Sequence, residues 1–299
     1  MIKQNFDENI KVLEFLDFAV SFGRPPIPFT GVWVDKEHLL AELRRNHIAQ
    51  SAPYHVLSKA YDADYGNDLL MKELGSDTAE MIPTWVVIPC EEAMGCTPGA
   101  YADRIEAMGV KAVRLFPSSV GNPAKATRYA FAKWFYGDYF EEFERREIPI
   151  AVEFSPNRRD EPDWPKLYGV AKEFPRLPII LADGFQRTTW TLIKLMRECP
   201  NLYVQTSGLD VHRQLEYMVE QVGPQHFIAG SKFPVSTIGT MNAEPLTAQR
   251  DVLIQPLRLY RFRSLAKKPS ASLRISFAFR SSAISFISRR SFSESGASR

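Results

Sequence analysis

The chain has 299 residues, 45% hydrophobic and 24% charged, enough to bury the core of one large barrel or of two small domains. No run of about 18 apolar residues occurs, so we expect no membrane span, and the apolar residues 12–22 lack the flanks of a signal peptide. The net charge of +2 combines +9 in residues 250–299 (11 Lys/Arg, 2 Asp/Glu) with −7 elsewhere, which does not indicate a nucleic-acid-binding domain.

Strand-like and helical segments alternate along residues 12–229. Residues 12–22 are rich in β-branched and aromatic side chains and end at Gly23, as buried strands often do. Residues 82–89 are nearly all apolar, which is typical of a strand covered on both faces. Hydrophobic spacing predicts the helices. The predicted strands are residues 12–22, 48–57, 82–89, 110–116, 148–154, 177–182, 202–206 and 226–229, and the predicted helices are residues 36–45, 67–74, 98–108, 138–147, 164–174, 188–198 and 211–222.

About eight strand-then-helix repeats favour an α/β fold of the closed (β/α)8 type, the TIM barrel, over an open doubly wound sheet. No Gly-x-Gly-x-x-Gly turn supports a dinucleotide fold. The pattern stops near residue 246, which predicts a barrel over residues 1–245 and an irregular Ser/Arg-rich tail over residues 246–299. We interpret this tail as an aberrant C-terminus standing where the last helix of the barrel is due; a localisation or phosphorylation tail is the alternative.

Three cysteines bear on the cellular compartment. Cys90, Cys96 and Cys199 form neither a Cys-x-x-Cys pair nor an even disulfide framework. We therefore expect reduced thiols and a cytoplasmic protein.

Seven short segments carry a family resemblance when their order and spacing are taken together. They are residues 16–24 (LDFAVSFGR), 65–70 (YGNDLL), 109–117 (GVKAVRLFP), 148–155 (IPIAVEFS), 177–185 (LPIILADGF), 201–208 (NLYVQTSG) and 230–234 (GSKFP). The chain thus resembles the amidohydrolase-related family, which contains metal-dependent hydrolases and some nonoxidative decarboxylases. The resemblance implies a small-molecule ligand at the mouth formed by the C-terminal ends of the strands.

The resemblance also implies five metal-ligand positions, and the chain departs from the family pattern at each. Where the family has two histidines on the first strand, this chain has Ala19 and Ser21. Histidines closing the fifth and sixth strands are replaced by Glu153 and Asp183, and the aspartate after the eighth strand by Lys232. Alanine cannot bind a metal, serine is a weak neutral donor, and an ammonium repels a divalent cation. We therefore expect no metal cofactor.

Three interpretations of Glu153, Asp183 and Lys232 stay open. They can form a structural ion-pair cluster, because buried charges persist when paired, in a barrel that only binds a ligand. They can form a metal-free catalytic site, with the lysine as base or Schiff-base former and a carboxylate handling protons. That enzyme would be a hydrolase or carbon–carbon lyase acting on a small carbonyl or carboxylate compound. Finally, Glu153 and Asp183 can hold Mg²⁺ or Mn²⁺ in a metal-dependent hydrolase.

Three further side chains are candidates for substrate binding. Arg114 closes the fourth strand and can grip a carboxylate or phosphate through two hydrogen bonds, although a plain ion pair explains it equally. His55 lies near the end of the second strand, where it is either an acid–base group or simply hydrogen-bonded. Ser21 stands at the second of the two histidine positions of the first strand.

Overall fold

The computed structural model describes residues 15–25, 33–46, 48–75, 79–117, 129–154, 164–182, 188–209, 211 and 213–234. Asp183 and the predicted tail lie outside these residues. The strands within them are β1 (Phe15–Asp17), β2 (Ser21–Phe22), β3 (Ile48–Ser51), β4 (Tyr54–His55), β5 (Thr84–Val86), β6 (Ala112–Leu115), β7 (Ile150–Val152), β8 (Ile179–Leu181), β9 (Leu202–Gln205) and β10 (Phe227–Ile228). The α-helices are α1 (Lys36–Arg45), α2 (Val56–Ala60), α3 (Ala63–Leu74), α4 (Glu91–Met94), α5 (Pro98–Ala107), α6 (Lys133–Arg145), α7 (Trp164–Glu173), α8 (Thr189–Glu198) and α9 (Gln214–Val222).

The strands occupy eight positions around a barrel. β5 to β10 form one parallel sheet in chain order, while β1 pairs with β3 and β2 pairs with β4, also in parallel. The first position is therefore β1 with β2, and the second is β3 with β4. A backbone hydrogen bond of 2.8 Å from Ile82 N to Ser51 O joins the second position to the third.

Backbone hydrogen bonds also join the last strand position to the first. The amide of Phe18 donates to the carbonyl of Ala229 at 2.9 Å. The amide of Ser21 donates to the carbonyl of Phe233 at 3.1 Å. The ring of strands is closed, and the (β/α)8 prediction is confirmed.

Two strands that the sequence predicts as continuous are interrupted. In the first position, Asp17 Oδ1 accepts a hydrogen bond from the amide of Ala19 at 3.0 Å, and this local turn separates β1 from β2. In the second position, Pro53 has no N–H to donate and separates β3 from β4. Residues 56 and 57, predicted as the end of that strand, instead begin α2.

The strands divide the apolar core into two layers. The larger layer packs between the strands and the helices and includes Val113, Ile150 and Val152. The smaller layer fills the barrel interior with Phe18, Ala52, Ala112, Ala151, Ile180, Ala182 and Ile228. Because strand side chains alternate between faces, residues two positions beyond an interior alanine also face inward, toward the C-terminal mouth. None of the described helices has the length and apolarity needed to cross a bilayer.

Candidate functional site

Alternation along three strands brings polar side chains to the mouth of the barrel. Tyr54, Arg114 and Glu153 each follow an interior alanine by two positions, at residues 52, 112 and 151. Lys59 of α2 and Lys232, which follows β10, add two ammonium groups. We call Tyr54, Lys59, Arg114, Glu153 and Lys232 the mouth cluster.

Lys59 and Glu153 form an ion pair within the mouth cluster. Lys59 Nζ lies 2.6 Å from Glu153 Oε1, and the two side chains are only 24% and 17% exposed. Burial alone would raise the pKa of Glu153, but the charges of Lys59 and then Lys232 outweigh it and hold that pKa below its usual value. Burial opposes the charge on Lys59, yet Glu153 outweighs it and raises the pKa of Lys59. Both partners are therefore charged near neutral pH.

Lys232 differs electrostatically from Lys59. Burial lowers the pKa of Lys232; Glu153 opposes this shift and Lys59 adds to it. Its backbone φ is +61°, in the left-handed region that a side chain rarely adopts, within the turn after β10. The structure thus brings Glu153 and Lys232 within electrostatic reach of each other, whereas Asp183 lies outside the described residues. The catalytic roles of these three residues stay predictions.

The side chain of Arg114 lies inside the barrel and is held there by hydrogen bonds. Its Nε donates to Thr84 Oγ1 at 2.8 Å, and its Nη2 donates to the carbonyls of Ala52, at 2.7 Å, and Phe18. The guanidinium stacks 4.6 Å from the ring centre of Phe18 and 5.2 Å from that of Tyr54. Burial lowers its pKa to about 10, so Arg114 stays cationic. These contacts favour an internal anchor that contributes positive charge, because Nε and Nη2 are already engaged by protein acceptors.

His55 faces the helix layer, opposite to its neighbour Tyr54. Its Nδ1 accepts from the amide of Leu57 at 3.2 Å, and its Nε2 lies 3.7 Å from Glu73 Oε1. A Cβ on Gly23 would lie 2.3 Å from that Nε2, so the ring fills the space beside the glycine. Burial lowers the pKa of His55 to about 4, which makes it neutral. The ring caps α2, and none of these contacts is with the mouth cluster.

Ser21 lies beside the mouth cluster. β2 places it opposite Tyr54, and an interaction with Ser21 lowers the pKa of the Tyr54 hydroxyl. Burial raises the pKa of Tyr54, with Lys59 opposing and Glu153 reinforcing this shift. Ser21 is therefore a neighbour of Tyr54, and its predicted substrate contact stays a prediction.

Below the mouth, Asp17 links the first strand position of the barrel to the last one through hydrogen bonds. Its Oδ1 accepts from the amides of Ala19 and Ser231, each at 3.0 Å. Its Oδ2 is buried without a hydrogen-bond partner among the described residues. Burial raises the pKa of Asp17, although hydrogen bonds from Ser231 and Ala19 and the charge of Arg114 oppose that shift.

The sequence did not single out two members of the mouth cluster, Tyr54 and Lys59. Lys59 follows β4 by four residues, in the segment where a strand leads into a helix. Ionisable residues directly after a barrel strand are site candidates by position, which is the signal that would have found it. Tyr54 would have been found by counting alternate residues from the interior Ala52.

A closed (β/α)8 barrel with charged groups at the C-terminal ends of its strands defines a TIM-barrel protein, the class of fold in which active sites form at that mouth. The family model described as Amidohydrolase matches residues 35–249, and the chain belongs to this family. Comparison with curated protein sequences gives no significant match.

Solved structures share the fold at low sequence identity. A TIM-barrel protein from Bordetella bronchiseptica is 16% identical with a TM-score of 0.60, over 86% of this chain and 100% of that one. An amidohydrolase 2 from Bifidobacterium longum is 13% identical with a TM-score of 0.57, over 82% and 92%. A dihydroxybenzoic acid decarboxylase from Polaromonas, with bound manganese and the inhibitor 2-nitroresorcinol, is 12% identical with a TM-score of 0.55, over 86% and 98%.

The side chains of the part of the chain that the structure describes do not fit the metal that the family implies. A Cβ on Gly230 would lie 2.7 Å from the Cβ of Ala19 and 2.5 Å from Gln205 Nε2, so Ala19 packs tightly where the family has a histidine. Glu153 is engaged by Lys59 at 2.6 Å, and Lys232 adds a second ammonium. Among the described residues, no three His, Cys, Asp or Glu side chains group to hold an ion.

Proposed function

We propose that the mouth of the barrel binds a small carboxylate or carbonyl compound and acts on it without a metal, as a hydrolase or carbon–carbon lyase. The observation that carries the proposal is the charge of the mouth cluster. Within the described residues it sets three cations, Lys59, Arg114 and Lys232, against ionised Glu153. A half-buried site of this kind attracts an anion more strongly than an exposed one, because water screens it less.

The two lysines suit different tasks. Lys59 stays protonated and fixes Glu153, whereas the lowered pKa of Lys232 increases its neutral fraction. A neutral amine can accept a proton, or it can add to a carbonyl carbon, forming a C–N bond and releasing water as the imine forms. The lowered pKa of Glu153 suits stabilisation of positive charge better than proton transfer, so Asp183 is the proposed proton carrier.

A non-catalytic barrel that only binds a ligand is the second candidate. The Lys59–Glu153 pair favours it, because both charges are already satisfied within the protein. A metal-dependent hydrolase using Glu153 and Asp183 is the third interpretation, and the same ion pair opposes it.

Metal analysis separates the third interpretation from the first two. We expect protein purified without chelators, and protein loaded with Zn²⁺ or Mn²⁺ and then gel-filtered, to contain only substoichiometric metal by mass spectrometry. One Zn²⁺ or Mn²⁺ per chain would overturn the metal-free proposal.

A thermal-shift screen with benzoate, 2,6-dihydroxybenzoate and glutarate tests the anion site. We expect at least one compound to raise the Tm of the wild type and of the control Lys111→Ala, whose lysine is exposed. Lys232→Ala should keep its fold and lose the response. An equal response in Lys232→Ala would contradict the role of Lys232, and loss of folding would favour the structural ion-pair cluster. Binding without product by chromatography would favour the non-catalytic barrel.

Borohydride trapping tests the Schiff-base route. With a carbonyl analogue present, we expect reduction to fix one adduct mass on Lys232, and no adduct in Lys232→Ala. An adduct found only on exposed lysines such as Lys111 would contradict this route.

A further inference from the structure

One network of hydrogen bonds joins the two interrupted strand positions below the mouth. Arg114 Nη2 donates to the carbonyls of Phe18, in the break between β1 and β2, and of Ala52, in the break between β3 and β4. Arg114 Nε donates to Thr84 Oγ1 at 2.8 Å, and that hydroxyl donates onward to the carbonyl of Pro53, also at 2.8 Å. We call Arg114 and Thr84 the clamp. It fixes the backbone from which β2 and β4 start.

Tyr54 is the first residue after the clamped break, and its ring packs against two neighbours. Its amide donates to the carbonyl of Val20 at 3.3 Å, so the backbone of β4 continues directly from the clamp. The guanidinium of Arg114 lies 5.2 Å from the centre of the Tyr54 ring, and the ring of Phe116 lies 5.5 Å from it. The side chain is only 9% exposed. Because backbone and ring are both fixed, the fold sets the direction of the Tyr54 hydroxyl.

The hydroxyl of Tyr54 lies among the charges of the mouth cluster. Lys59, Glu153 and Arg114 each interact with it electrostatically. Burial raises the pKa of Tyr54, so the hydroxyl keeps its proton near neutral pH. A phenol can donate one hydrogen bond and accept others, so Tyr54 can interact with its neighbour Ser21 and with a ligand at the same time.

Two cations beside this hydroxyl already donate hydrogen bonds within the protein, Lys59 to Glu153 and Arg114 to the barrel. We propose that Tyr54 is a ligand-binding residue, whose hydroxyl donates a hydrogen bond to a carboxylate or carbonyl oxygen of the ligand, and that the clamp positions it. This inference rests on the proposed function, which supplies the ligand. The cations of the mouth cluster attract the anion, and the Tyr54 hydroxyl gives the contact its direction.

Benzoate binding measured by isothermal titration calorimetry tests the ligand contact. Tyr54→Phe keeps the ring and loses the hydroxyl, so we expect benzoate affinity to fall by roughly tenfold or more, as for one hydrogen bond to a charged group. Tyr136→Phe on α6 is the matched control, because the buried Tyr136 hydroxyl has no hydrogen-bond partner among the described residues. It should leave benzoate affinity unchanged. Equal affinities of wild type and Tyr54→Phe would overturn the ligand contact.

The role of the clamp is read from the NMR resonance of Tyr54 Cζ in isotope-labelled protein, assigned by its loss in Tyr54→Phe. Thr84→Val removes the clamp hydroxyl, so we expect this resonance to shift and benzoate affinity to fall by roughly fivefold, the equivalent of one neutral hydrogen bond. Thr84→Ser keeps the hydroxyl and should match wild type in both. If Thr84→Val unfolds, Arg114→Lys takes its place, because it keeps the charge and loses the bridge. An unchanged resonance and affinity would show that the clamp serves stability alone.

Adding benzoate to the labelled wild type separates this inference from the proposed function. We expect the Tyr54 Cζ resonance to move in proportion to the bound fraction. If benzoate raises the Tm and leaves that resonance in place, the anion site exists but Tyr54 does not contact the ligand. If benzoate, 2,6-dihydroxybenzoate and glutarate all fail to bind, the proposed anion site and the ligand contact both fail, while the Thr84 variants still decide whether the clamp positions Tyr54.

Discussion

Adjacent residues of one short strand serve opposite layers of the molecule. Tyr54 points into the barrel and meets Arg114 and Lys59, whereas His55 points into the helix layer and caps α2. The separation follows from the alternation of side chains along a strand. His55 therefore contributes to stability through a buried, neutral imidazole.

The pH dependence of unfolding tests this placement of His55. Its pKa is lowered from 6.5 to about 4 by burial, so the unfolded chain binds more protons between these values. The free energy of unfolding is then highest above about pH 6.5 and falls as the pH drops toward 4. We expect wild type to lose about 2 kcal/mol between pH 7.5 and 5 in urea unfolding from this group.

Two histidine variants identify the source of that loss. His55→Gln should lose clearly less stability than wild type over the same pH interval. His38→Gln, at an exposed position of α1, should behave as wild type does. An unchanged pH dependence in His55→Gln would show that another group is responsible.

Some individual residues of the candidate site could be predicted from the sequence. Glu153, Arg114 and Lys232 were found because strand ends and family motifs mark their positions. The sequence selected His55, whereas its neighbour Tyr54 is the residue that faces the mouth. A prediction that locates a strand only to within a residue or two cannot tell which of its side chains face the barrel interior. Lys59 was missed because its partner, Glu153, lies 94 residues further along the chain.

The side-chain amide of Asn67 makes hydrogen bonds to β5 that a neighbouring strand would otherwise make. Asn67 of α3 is fully buried; its Nδ2 donates to the carbonyl of Val86 at 2.8 Å and its Oδ1 accepts from the amide of Val86 at 2.9 Å. The residue that follows β5, by contrast, continues the ladder to β6, since Val87 N donates to Arg114 O. The side chain thus satisfies both backbone groups of Val86 on the side where β4 has ended.

Asn67→Ala should destabilise the protein strongly. It leaves the buried N–H and C=O of Val86 unpaired, so we expect a loss of about 2–4 kcal/mol in urea unfolding. Asp68→Asn, one residue on, alters only an exposed ion pair with Arg104 and should cost less than about 1 kcal/mol. Equal stability of the two variants would show that the amide contributes little.

Element boundaries were predictable where one dominant pattern fixed them. The helix predicted over residues 36–45 has those bounds, because Asp35 caps its start. The helix predicted over residues 67–74 begins earlier, since Asp62 Oδ1 accepts from the amide of Tyr65 at 2.8 Å and sets the first turn at Ala63. Gly66 lies in that first turn and weakened the helical pattern of the sequence. The glycine is required by tertiary packing, because only a glycine leaves room for α2 to approach α3.

At the scale of the whole molecule, the division of the chain into residues 1–245 and 246–299 stays a prediction. Limited trypsin digestion tests it, because residues 250–299 contain 11 Lys/Arg and little patterned apolar sequence. We expect intact-mass spectrometry to show cleavage after residue 250 first. Arg146, only 12% exposed and paired with three carboxylates, serves as the slow reference site. Equal protection of the C-terminal sites would show that the tail is packed with the barrel.

The seam that closes the barrel has a consequence for biosynthesis. Most neighbouring strand positions are consecutive in the chain, but the seam joins the first to the last, as in the bond between Ser231 and Asp17 across 214 residues. Because a chain is made from its N-terminus, the first strand waits with one open edge until residues 229–233 have left the ribosome. An open edge is a template for pairing with other chains. A product that stops short of residue 229 therefore carries that edge permanently, and the turn after β10 protects the nascent protein from aggregation as well as carrying Lys232.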